Sequence, residues 1–75
     1  MQQPNVIDFS QVDQTNPQDF VLIQKIIEEF PNLPPETHRH LVRNRESNGL
    51  SPVIKKIGKY LYANRIGYGY WLANV

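Results

Sequence analysis

Arg39 and Arg43 stand four residues apart, and on a helix that spacing sets them side by side on one face. Like charges so placed cost an isolated helix about 0.2–0.5 kcal/mol. Glu36, one turn earlier, can offset part of that. Each guanidinium is a planar fork of donors that grips phosphates or guanine edges at two points. His40 and Ser47 fall on the same polar side, and Arg45 follows with its stem toward the apolar side. Lys55 and Lys56 then point to opposite faces of a β-prone run, and Lys59 sits directly after Gly58. The plain alternatives are a solvated helix face for the arginines and edge-strand protection for the lysines.

Other chemistries find little footing. His38 and His40 resemble a metal-binding pair, but residues two apart on a helix diverge by about 200°. The chain has no cysteine, and no carboxylate falls in register with them, so neither a metal nor another cofactor is expected. Glu28 and Glu29 are consecutive and do not converge as an acid–base pair. Gly67-x-Gly69 lacks the third glycine and the strand–helix context of a phosphate loop. Tyr60, Tyr62, Tyr68, Tyr70 and Trp71 could form a base-stacking platform, but in so short a chain they are expected to fill the core. The expectation is a protein that is not an enzyme and takes no small-molecule ligand.

Charge is distributed unevenly. From Glu36 onward seven basic residues face two acidic ones, a balance of +5; the first 35 residues hold Lys25 against five acids, a balance of −4. The sum is the formal +1, so a nearly neutral total conceals a dipolar chain with a basic end suited to a polyanion. A 75-residue chain makes one domain that buries only about 60% of its unfolded surface. No apolar run approaches the ~18 residues of a membrane span. Met1-Gln2-Gln3-Pro4 does not open a signal peptide. A cytoplasmic protein with no membrane partner is expected.

Residues 1–18, rich in Gln, Asn, Asp and Pro, read as a flexible acidic and polar arm, either a disordered tail or one with a short extended piece docked on the domain of residues 19–75. Asn16-Pro17 starts a helix expected over about 18–30, with Phe20, Ile23, Ile26, Ile27 and Phe30 on its apolar face and Val21 and Leu22 widening it. Pro31 ends that helix. Pro35 opens a second helix, expected to run to about Asn48, where Gly49 supplies a left-handed cap. Leu41 and Val42 form its apolar face, extended backward by Thr37 and His38. Two short β-prone runs over about 53–63 flank Gly58-Lys59, which suits a tight hairpin turn. Asn64 caps a last helix over about 64–73, with Tyr68, Trp71 and Leu72 on one side.

Phe30-Pro31, Leu33, Arg39, Leu41, Asn48-Gly49-Leu50, Ile57-Gly58-Lys59, Asn64, Tyr68 and Trp71-Leu72 together resemble excisionase-like winged-helix proteins, small DNA-binding proteins of phages and mobile elements, and more distantly the MerR-type DNA-binding head. The resemblance spans about residues 20–75. It implies an α+β winged helix-turn-helix with a two-stranded hairpin wing and a short C-terminal helix. The helix from Pro35 to Asn48 would enter the major groove, and the Gly58-Lys59 turn would be the wing tip. Arg39, His40, Arg43, Arg45, Ser47, Lys55, Lys56 and Lys59 are then the expected DNA contacts. The implied function is binding of double-stranded DNA in the nucleoid of a bacterial host cell, as a recombination directionality factor or a small transcription regulator. An integrase, or further copies of the chain on adjacent sites, would be its partners. Arg65-Ile66 and the Gly67/Gly69 pair depart from the family pattern, as does Pro34-Pro35 at the second helix start. The rival reading is a protein-interaction module of phage or mobile-element origin that binds a host protein.

Overall fold

The structure, a computed structural model, describes residues 7–75; Met1–Pro4 and Val6, on which part of the reading above rests, lie outside them. The elements are β1 (Phe20–Leu22), α1 (Ile23–Glu29), α2 (Pro35–Arg43), α3 (Arg45–Asn48), β2 (Ile54–Ile57), β3 (Tyr60–Asn64) and α4 (Arg65–Asn74). The result is a small α+β fold in which helices cover one face of a three-stranded antiparallel sheet, ordered β1-β3-β2.

The first helix is half the expected length. Asn16 does cap a start, accepting from the Gln18 amide at 2.9 Å, but what it caps is a single 3₁₀ turn, Pro17–Asp19. Phe20-Val21-Leu22 then runs as a strand paired with β3, in the register Phe20↔Asn64, Val21↔Ala63, Leu22↔Tyr62. Three β-prone residues in a row can go either way, and here the open edge of β3 decides. The expected two-stranded hairpin is therefore part of a three-stranded sheet.

The second helix is broken. Asn44, with φ −102° and ψ 22°, separates α2 from α3. Its side-chain amide donates to the His40 carbonyl at 2.9 Å, the same oxygen that its backbone N–H reaches at 3.1 Å. Such local side-chain bonding competes with the helical ladder. The stop at Gly49 is as expected, in the left-handed region at φ +83°. The Gly58-Lys59 turn joins β2 and β3, with Gly58 at φ +63°. Asn64 caps α4 by accepting from the Gly67 amide at 2.9 Å.

Ile26, Leu50, Val53, Ala63, Tyr68 and Trp71 form the buried core, with Val42 beside them. His38 is fully buried too. Its Nε2 lies 2.9 Å from the Phe30 carbonyl, which can only accept, so Nε2 carries the proton. Nδ1 then accepts from the Tyr68 hydroxyl at 2.8 Å. Burial pushes the Tyr68 phenol up to about 12. The Trp71 indole donates to the Asn48 carbonyl at 3.2 Å, fixing α4 to the end of α3.

Ile7 and Phe9 pack against this core, and the Phe9 and Tyr70 rings sit 5.9 Å apart. The Ser10 amide donates to Asp8, and the hydroxyl and amide of Thr15 donate to Asp13; these bonds hold both carboxyls below the usual carboxylate range. A Cβ on Gly67 would lie 2.6 Å from Gln14 Oε1 and 3.2 Å from a Val53 methyl, so Gly67 permits this close approach.

Candidate nucleic-acid interface

The exposed side of α2 carries Arg39 and Arg43. Both reach back to Glu36, Arg39 at 3.5 Å and Arg43 at 3.9 Å. All three side chains are more than half exposed, and such pairs contribute only about 0–1 kcal/mol. The guanidiniums are therefore held in place weakly enough to be drawn away by a stronger anion.

Beside them runs an open groove of about 450 Å³. Arg39, Val42 and Arg43 of α2 form one wall, Leu22, Ile23 and Gln24 at the β1–α1 junction another, and Lys59, Tyr60 and Leu61 of the hairpin the third. Three cations thus rim an apolar floor, although Lys59 is 16 residues beyond Arg43 in the chain. The groove thus sets cationic donors around a largely apolar floor.

The other expected contacts are distributed differently. His40 is exposed on α2, with a ring nitrogen 3.3 Å from the Asn44 amide. Arg45 folds back and donates to the Val42 carbonyl at 2.8 Å, while the Ser47 hydroxyl donates to the Asn44 carbonyl at 3.0 Å. Both therefore bond to backbone carbonyls around the α2–α3 break, and the Asn44 carbonyl also accepts from the Ser47 and Asn48 amides. Lys56 is exposed at the β2 edge, opposite Leu61. Lys55 lies on the other side of that strand, its Nζ 4.7 Å from the Phe20 ring centroid. Lys59 Nζ stands 5.7 Å from the Tyr60 ring.

Leu22, Gln24, Tyr60 and Leu61 escaped the sequence reading as groove residues. For Tyr60 and Leu61 the signal was present, since a two-residue turn at Gly58-Lys59 places both beside the tip. For Leu22 it was absent, because the residue was assigned to a helix.

Arg65 belongs to neither group. It bonds Asp19 at 3.2 Å and Glu29 at 3.6 Å, tying α4 to the start of β1 and the end of α1. Two acids of the first half therefore serve the fold internally. Among the described residues no cluster of His, Cys, Asp or Glu could hold a metal ion, and no helix is long and apolar enough to cross a membrane. No family model matches the chain, and no curated protein or solved structure matches it.

Proposed function

We propose that the chain binds double-stranded DNA as a small winged helix-turn-helix protein, with α2 as the groove-reading helix and the β2–β3 hairpin as the wing. In this reading it is a recombination directionality factor that helps excise a mobile element, or a local transcription regulator. One observation carries the proposal: Arg39 and Arg43 of α2 and Lys59 of the hairpin tip line a single groove. Helix and tip then take phosphates on either side of one strand, and the apolar floor meets the sugars between them. The chemistry is architectural, positioning DNA without breaking a bond. A single module of this kind buries only about 600–1,000 Å², so useful specificity requires further copies on adjacent sites or a partner such as an integrase.

The test is a binding titration on the DNA flanking the chain's own gene at several salt concentrations. Each phosphate contact contributes about 0.9 to the log–log salt slope. Arg39→Ala should weaken binding and lower that slope by about 1. Failure to bind at low salt, or binding with no salt slope, would remove the DNA reading and leave a protein partner in its place.

A further inference from the structure

The sheet has a second face, and its chemistry is not that of a core. Directly paired residues share a face, so the register sets Leu22, Tyr62 and Lys55 on the same side, together with Ile57 and Tyr60. Val21, Ile54 and Ala63 alternate with them and point into the core. The outward side is left with Leu22 at 42%, Ile57 at 48% and Tyr60 at 55% exposure, and with Tyr62 half-buried between its neighbours. The expectation that the tyrosines fill the core therefore holds for Tyr68 and fails for Tyr60 and Tyr62.

We propose that this outward sheet face binds an unpaired nucleic-acid strand, with successive bases laid on Tyr60 and Tyr62 and phosphates taken by Lys55 and Lys59. Tyr60 and Tyr62 are two residues apart on the central strand, about 6.6 Å at ~3.3 Å per residue. That spacing matches bases drawn apart from the ~3.4 Å rise of a stacked strand. Lys55 pairs across the ladder with Tyr62, and Lys59 precedes Tyr60, so each ring has a cation beside it. The Phe20 ring steadies the Lys55 ammonium from one side while the lysine remains exposed.

Charge complementarity selects the ligand. None of the three strands contains an acidic residue. Asp19, immediately before β1, is occupied by Arg65. Aromatic faces flanked only by cations suit a polyanion with flat apolar groups, because stacking accepts any base and lysines follow the backbone. A rigid duplex keeps its bases inside and cannot use the rings. The site shares Lys59 and Tyr60 with the groove beside α2, whereas Tyr62 and Lys55 lie outside that groove.

The experiment is fluorescence anisotropy with labelled oligothymidylate and oligouridylate about twelve nucleotides long, at low salt. The two probes separate a DNA strand from an RNA strand. Tyr62→Phe keeps the aromatic face and should retain affinity. Tyr62→Leu keeps apolar bulk without it and should weaken binding about tenfold, as should Tyr60→Leu. Arg39→Ala should lower duplex binding more than single-strand binding, because Tyr62 and Lys55 lie outside the groove that Arg39 lines. Circular dichroism of each variant checks that the fold is intact. No binding of either oligomer would overturn the proposal. Full affinity in both leucine variants would also overturn it, since the strand would then bind without the rings.

Discussion

Glu36 holds both arginines of α2, and the competition this sets up can be measured. An anion approaching Arg39 or Arg43 must displace a carboxylate 3.5–3.9 Å away. Glu36→Gln removes that competitor and one negative charge from the groove rim. It should tighten duplex binding severalfold at low salt, with the gain shrinking as salt screens the rim. Lower affinity in that titration would mean that Glu36 positions the arginines and does not restrain them. His38 and Tyr68 act differently, in the interior. Tyr68→Phe deletes the hydroxyl that donates to His38 Nδ1 and leaves a buried acceptor unpaired, at a cost of about 1–3 kcal/mol in urea denaturation.

At the scale of the elements, α4 carries two glycines with different duties. A Cβ on Gly69 would meet only the Phe30 ring, at 3.4–3.5 Å, an ordinary contact. Gly69→Ala should therefore gain most of the ~1 kcal/mol that alanine holds over glycine in a helix, and raise the melting temperature. A Cβ on Gly67 meets Gln14 Oε1 at 2.6 Å and the buried Val53 methyl at 3.2 Å. Gly67→Ala should forfeit that gain and push Gln14 out. Faster limited proteolysis between Phe9 and Asn16 would show it, whereas unchanged cleavage would mean that Gln14 simply rotates aside.

For the molecule as a whole, Tyr68 couples stability to alkaline pH. Its phenol ionises near 10 when the chain is unfolded and near 12 when folded, so the unfolded state loses its proton first. The stabilisation is complete below pH 10 and declines as pH rises toward 12. The difference in unfolding free energy between wild type and Tyr68→Phe should narrow over that interval. A constant difference from pH 9 to 12 would place the Tyr68 hydroxyl in contact with solvent.

Much of this architecture was legible in local residue chemistry. Gly49 and Gly58 occupy left-handed positions where a side chain is disfavoured, Asn64 caps α4, and Tyr68 and Trp71 are apolar enough to be buried wherever the chain leads them. Each of these depends on a few neighbouring residues. Phe20-Val21-Leu22 depends instead on β3, some forty residues away, whose second edge draws it from helix to strand. Asn44 breaks a helix that periodicity would continue, because one side-chain amide competes for one carbonyl. The two faces of the sheet were likewise beyond local reading, since register alone decides that Ala63 turns inward while Tyr60 and Tyr62 turn out. Composition set the basic charges in the last forty residues. Only the tertiary fold brought Arg39, Arg43 and Lys59 to one groove, set the Lys55 ammonium over the Phe20 ring and bound Arg65 to Asp19, because strand pairing and helix docking join residues that sequence distance keeps apart.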